Sequence, residues 1–263
     1  MPTPILSIIT VCFCAREELR ATLENVLMQT WKHFEYLVID GDSGDGTKEL
    51  LETASLQFEK AEIPFRFVSE PDQGIYDAMN KGTLMAGGNW LLFLNAGDLL
   101  ADSHVLEHIF REPSKGQILY GDTVCIYQNN QKLYPALPLT HLPYEMAFCH
   151  QSAFIRRELL LEHPYDITYR VCADHHFFLS MYLQNKIFDY RSLPVSIYEI
   201  SGYSDTNKWI SHQEKHRMQQ ELGIFRFSVP WLLREIRFYI SQGVKTLLGQ
   251  KFIDRVRRNR LQS

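Results

Sequence analysis

The chain predicts an α/β fold: a mostly parallel central sheet with helices on both faces, followed by a C-terminal helical extension. Three observations lead there. Apolar, β-branched runs alternate with segments of helical spacing through the first hundred residues, the pattern of parallel strands joined by crossover helices. One run, Trp90 to Leu94, is unbroken and stops abruptly at Asn95-Ala96-Gly97-Asp98, as a strand buried on both faces does. Basic residues concentrate at the C-terminal end and set it apart in composition.

Ile5 to Cys12 is the first strand, apolar and β-branched. Arg16 to Met28 follows with Leu19, Leu23, Val26 and Leu27 at helical spacing, and Phe34 to Ile39 is the second strand. The next loop, Gly41-Asp42-Ser43-Gly44-Asp45-Gly46, is not a dinucleotide fingerprint, because its glycines run Gly-x-x-Gly-x-Gly with acids between them. Asp45-Gly46-Thr47 opens a helix carrying Leu50, Leu51 and Ala54 on one face, and Pro64 to Val68 is the third strand. The acidic turn from Ser69 to Gly74 leads into a helix beginning Ile75-Tyr76-Asp77, and Trp90 to Leu94 is the fourth strand. Between Gln117 and Phe154 shorter strands and turns are expected, broken by Pro135, Pro138 and Pro143. Helices are expected again at Cys172 to Leu183 and Asp205 to Leu222.

At 263 residues and 45% hydrophobic, the chain buries a full core as one α/β domain with an appendage. No long uncharged apolar run reads as a membrane span, and the N-terminus enters a strand directly, so cytoplasmic placement is expected. The five cysteines, Cys12, Cys14, Cys125, Cys149 and Cys172, are odd in number and lack a Cys-x-x-Cys pair, which reads as reduced thiols. The net charge of −4 hides an asymmetry: Phe225 to Ser263 hold nine Lys/Arg against two Asp/Glu, which leaves −11 on residues 1–224. The basic residues interleave with Trp231, Leu232, Leu233, Ile236, Phe238, Tyr239 and Ile240. Residues 225–263 therefore read as a basic amphipathic tail on a domain spanning 1–224. The partner expected for the tail is an anionic membrane surface and not nucleic acid, making the protein peripheral at the inner membrane; packing of the tail on the domain is the alternative.

Asp98 ends a buried strand, where ligands sit in open α/β sheets, and hard divalent cations take oxygen ligands from one or two carboxylates. Asp98 is the metal candidate. Asp174 stands at a helix start beside His175 and His176, where a carboxylate serves either as a proton acceptor or simply as a favourable partner of the helix dipole. His150, His175 and His176 with Cys149 and Cys172 match no common zinc spacing.

The motifs Glu70-Pro71-Asp72-Gln73-Gly74-Ile75-Tyr76-Asp77-Ala78-Met79-Asn80-Lys81-Gly82 and Phe93-Leu94-Asn95-Ala96-Gly97-Asp98 resemble the family 2 glycosyltransferases, inverting sugar-nucleotide enzymes of the GT-A fold. The variant resembles the branch found in exopolysaccharide clusters, including colanic-acid-type transferases, over roughly the first two hundred residues. Most members carry Asp-x-Asp where this chain has Asn95 to Asp98, so only the last carboxylate is kept. The resemblance implies Mg²⁺ or Mn²⁺ at Asp98 and a catalytic base at Asp174. It implies donor binding by Phe13, Asp40, Asp72, Lys81 and Asn95, with His150, Gln151 and His175 lining the acceptor or sugar pocket. Asp40 is alternatively a loop cap, and Lys81 alternatively a surface partner of Asp77. The implied partners are a nucleotide-sugar donor and a polysaccharide or lipid-linked saccharide acceptor. Two other readings stay open: a sugar-nucleotide-forming nucleotidyltransferase, which would need a glycine-rich loop after the first strand, and a non-catalytic scaffold, suggested by Asn95.

Overall fold

The structure, a computed structural model, describes residues 4–127, 130–199, 207–225, 232 and 235–240. Four strands, β1 (Leu6–Cys12), β2 (Phe34–Asp40), β3 (Phe65–Ser69) and β4 (Trp90–Phe93), pair in parallel in the order β3-β2-β1-β4. Helices α1 (Arg16–Leu27), α2 (Thr47–Lys60) and α3 (Ile75–Met85) connect them.

Strand periodicity explains why both faces are covered. Leu6 and Ile8, Tyr36 and Val38, and Trp90 and Leu92 face one core with Leu19, Leu23 and Val26 of α1 and Leu51 and Phe58 of α2. Their neighbours Ile9, Leu37, Ile39, Leu91 and Phe93 face the opposite core with Tyr76 and Met79 of α3. Each fully buried Leu, Ile or Phe contributes about 1.5–3 kcal/mol of transfer free energy. An amphipathic strand would leave half of that unused, hence the unbroken apolar run.

The second half departs from the parallel pattern. After β5 (Leu99–Leu100) and the short α4 (Val105–Phe110), β6 (Ile118–Tyr127), β7 (Asn130–Tyr134) and β8 (Ala153–Arg156) pair antiparallel with their partners, β8 closing on β4. Helices α5 (Arg157–Glu162) and α6 (Ala173–Leu183) then carry the chain to β9 (Phe188–Glu199), which lies parallel to β6 and antiparallel to β5. The sheet is therefore mixed, parallel through β3-β2-β1-β4 and antiparallel where β8 joins β4 and β6. The long β9 contains Pro194, which lacks an amide donor. It sits opposite Asp122 where the β6–β9 register shifts. Gly121 is required there, since a Cβ would meet Val195 Cγ2 at 2.6 Å and Leu193 O at 2.8 Å.

The last described helices are α7 (Lys208–Glu221) and a stretch over 235–240. In that stretch Phe238 stacks on His212 of α7 with centroids 3.8 Å apart and meets Trp209 edge-on. The remaining tail positions, including Trp231 and Leu233, lie outside the described residues. All five cysteines are free. Among the described residues no helix is long and apolar enough to cross a membrane.

Candidate active site

The ends of β1 and β4, the start of α3, the 3₁₀ turn His150–Ser152 and the loop entering α6 enclose a cleft of ≈ 760 Å³. Phe13, Asp72, Asn95, Asp98, His150, Gln151 and Asp174 all line it. Seven of the ten residues singled out from the sequence thus come together, from as far apart as Phe13 and Asp174.

Asp98 is placed by a turn that the sequence builds locally. Gly97 adopts φ +94, and the Gly97 amide donates to Thr22 Oγ1 at 2.9 Å while that hydroxyl lies 3.0 Å from Asp98 O. The Asp98 carboxylate accepts from the Asn95 amide at 3.2 Å and from Gln151 Nε2 at 3.2 Å. Burial pushes its pKa up to about 7 from an ordinary 3.8, against the lowering effect of those two bonds. Beside it, Asn95 Oδ1 is buried without a hydrogen-bond partner among the described residues. A buried carboxylate with no basic partner among the described residues and an orphaned amide oxygen are the oxygen donors that a hard divalent cation takes, so the residues fit Mg²⁺ or Mn²⁺.

Asp174 is the second residue of α6 and lines the same cleft. Its Oδ1 accepts from the His175 amide at 2.8 Å and lies 3.0 Å from the Tyr76 hydroxyl, whose single proton is shared with Val171 O at 2.7 Å. Its Oδ2 stands 4.0 Å from His150 Nδ1. His150 Nε2 in turn meets the Tyr165 hydroxyl at 2.9 Å, and burial pushes the His150 pKa below its usual 6.5 despite Asp174. The loop leading to Asp174 hangs on Glu214 of α7, which accepts from the amides of Arg170, Val171 and Cys172 at 2.6, 2.9 and 2.9 Å. Phe13 is 67% exposed at the rim, an open aromatic face suited to stacking on a base. Asp72 Oδ1 accepts from the Gly74 amide at 2.8 Å in the turn that starts α3.

Three expected residues lie outside the cleft wall. Asp40 is fully buried, and its two oxygens accept from Ser43 Oγ at 2.6 Å, the Ser43 amide at 3.1 Å and Ser69 Oγ at 2.6 Å. It fastens the loop after β2, with Cys12 Sγ 3.6 Å from Oδ1 as a fourth contact, as the loop-cap alternative has it. Lys81 Nζ donates to Pro71 O at 2.9 Å and pairs with Glu70 Oε1 at 3.1 Å, so its charge tightens the acidic turn. His175 is 1% exposed, with Nε2 2.7 Å from Leu142 O; it packs behind α6, where burial lowers its pKa to about 4.

The residues that sequence reasoning passed over are Tyr76, Tyr165, Thr22 and Glu214. Tyr76 was visible only as part of a motif, and the others carry no local signal. Their partners lie 15 to 98 positions away: Asp174 for Tyr76, His150 for Tyr165, Gly97 for Thr22 and Val171 for Glu214.

A family model described as Glycosyl transferase family 2 matches residues 7–181. A PGL/p-HBAD biosynthesis glycosyltransferase of Mycobacterium bovis is 32% identical over 230 residues, covering 85% of this chain and 88% of that one. The putative teichuronic acid biosynthesis glycosyltransferase TuaG of Bacillus subtilis is 33% identical over 96 residues, 36% of each chain. Among solved structures, the mannosyltransferase PcManGT from Pyrobaculum calidifontis in complex with GDP-Man and Mn²⁺ has a TM-score of 0.64 at 15% identity, over 86% of this chain and 66% of that one. S. aureus TarS 1-349 in complex with UDP-GlcNAc has a TM-score of 0.61 at 15% identity, over 83% and 65%. This chain spans just under two thirds of those two solved chains, and the likeness shows the GT-A-like α/β fold. With the family match running through most of the sheet and the cleft, and relatives that are glycosyltransferases, the chain belongs to glycosyl transferase family 2.

Proposed function

We propose that the chain transfers one sugar from a nucleotide-sugar donor to a hydroxyl of a lipid-linked surface polysaccharide or glycolipid acceptor, with inversion, in the manner of the exopolysaccharide-cluster, colanic-acid-type branch. The observation that carries this reading is that Asp98 and Asp174, from segments far apart in the sequence, line one cleft. Inversion is a single displacement, so the base and the leaving group occupy opposite faces of the sugar. Asp174 takes the proton from the acceptor hydroxyl on Oδ2, while Oδ1 is held by Tyr76 and the His175 amide. Asp98 and Asn95 Oδ1 hold the cation, which when bound neutralises charge on the departing diphosphate. Phe13 and Asp72 bind the nucleoside, and Gln151 and His150 contact sugar hydroxyls. Asn95 supplies an oxygen in place of the first carboxylate of the usual motif, which favours an enzyme over a non-catalytic scaffold.

A thermal-shift panel of UDP, GDP, dTDP and CMP sugars tests the donor reading. At least one is expected to raise the melting temperature with Mn²⁺ and not with EDTA, since a ligand at 100 times its Kd stabilises the folded state by about 2.7 kcal/mol. No shift with any donor sinks the reading.

The catalytic domain spans 1–224 in this proposal, and the tail, 225–263, brings it to the anionic cytoplasmic face of the inner membrane. In support, Leu232, Ile236, Tyr239 and Ile240 are 41–60% exposed on the described part of the tail, and the sequence from Phe225 to Ser263 carries a net charge of +7. Each Lys or Arg near an anionic surface contributes about 1 kcal/mol. Ile236→Ser with Ile240→Ser is expected to reduce sedimentation with phosphatidylglycerol liposomes while leaving donor hydrolysis unchanged. Undiminished sedimentation would remove the membrane role.

A further inference from the structure

We propose that His212, His216 and Glu235 form a binding site for a zinc-type divalent metal ion that fastens the C-terminal segment 235–240 to α7. His212 and His216 stand four residues apart on one face of the helix, and Glu235 is brought to them by the tail. His212 Nε2 and His216 Nε2 lie 3.2 Å apart, and Glu235 Oε2 lies 2.9 and 3.1 Å from them. Tetrahedral zinc binds histidine nitrogen and carboxylate oxygen at about 2.0–2.1 Å, which sets its ligand atoms roughly 3.3 Å from one another. The observed triangle is close to that spacing without rearrangement.

Hydrogen bonding alone accounts for the triangle less well. Glu235 accepts from both rings only if both Nε2 atoms carry protons, and the 3.2 Å edge then presses two donors together. With both Nε2 atoms unprotonated, a cation is bound by all three atoms at once and no donor faces a donor. The surroundings are those of a built site: the three side chains are only 11–27% exposed, and Phe238 lies parallel to the His212 ring at 3.8 Å and fixes its plane. None of the three residues lines the catalytic cleft, and two nitrogens with one oxygen suit zinc better than the magnesium or manganese expected at Asp98. Metal binding would then tie the tail to the catalytic domain, independently of whether the donor and acceptor assignments hold.

The test uses the full chain, stripped with a chelator and titrated with Co²⁺ and then Zn²⁺. Wild type and Asp98→Asn are expected to take up one Co²⁺ with the strong visible bands of a tetrahedral site, lose them to Zn²⁺ one for one, and melt at higher temperature with zinc. His212→Gln, His216→Gln and Glu235→Gln are expected to weaken zinc binding more than the 10- to 100-fold typical of losing an outer-shell partner. Absence of the cobalt bands or of the zinc-dependent melting shift in wild type overturns the site, whatever the variants do. So does unchanged binding in all three variants.

Discussion

Asp98→Asn is expected to lower transfer by roughly a thousandfold or more and to abolish the Mn²⁺-dependent part of donor binding. A cation on the leaving diphosphate contributes several kcal/mol, at 1.36 kcal/mol per tenfold in rate. Asparagine keeps the shape of the turn pinned by Thr22 but removes the anionic ligand. The same substitution has an opposite effect on stability. With a folded pKa of about 7 against an ordinary 3.8, the folded protein holds a proton that the unfolded chain has lost. In chelator, the stability of wild type relative to Asp98→Asn should fall as pH rises from 3.8 to about 7, then level off. Asparagine does not titrate, so the variant should melt above wild type at pH 8 and level with it below pH 4. Saturating Mn²⁺ should restore the wild type at pH 8 and leave the variant unmoved. Equal turnover of wild type in EDTA would falsify the metal role.

Asp174→Asn is expected to reduce turnover about 10²- to 10⁴-fold, the range for losing a general base, with the donor-induced melting shift preserved. The amide still accepts from the His175 backbone and sits beside Tyr76, so the α6 start survives while proton abstraction does not. Tyr76→Phe should give a smaller loss, because it frees the carboxylate to rotate without removing it. Steady-state kinetics with a soluble acceptor separates the cases. Turnover retained in Asp174→Asn moves the base to another group, whereas a lost donor shift shows damage to the fold.

How far the site was legible follows from where each residue gets its role. Asp98 was readable because an apolar strand that ends in a carboxylate has its position dictated by the chain itself, with Gly97 one residue away to make the turn. Asp174 was readable for the same reason, as the second residue of a helix whose start the sequence marks. Asp40, Lys81 and His175 were placed in the cleft by resemblance, and all three turned to partners: Ser43 and Ser69, Glu70 and Pro71, and Leu142. A side chain's neighbours across a loop depend on which lone pairs remain unsatisfied there, and spacing does not record that.

By itself the sequence determined the parallel half of the sheet, the two-sided burial of its strands and the carboxylate at the end of β4, because strand period, helix period and turn chemistry act within a few residues of one another. Only the tertiary structure decided the mixed half, where β8 inserts between β4 and β6 and the bulge around Pro194 sets the course of β9. It alone decided that Tyr76 holds Asp174, that Glu214 anchors the loop before it, and that Glu235 meets His212 and His216. These pairs lie 19 to 98 positions apart and form only when buried polar groups must find partners, a demand that arises once the surrounding core has closed.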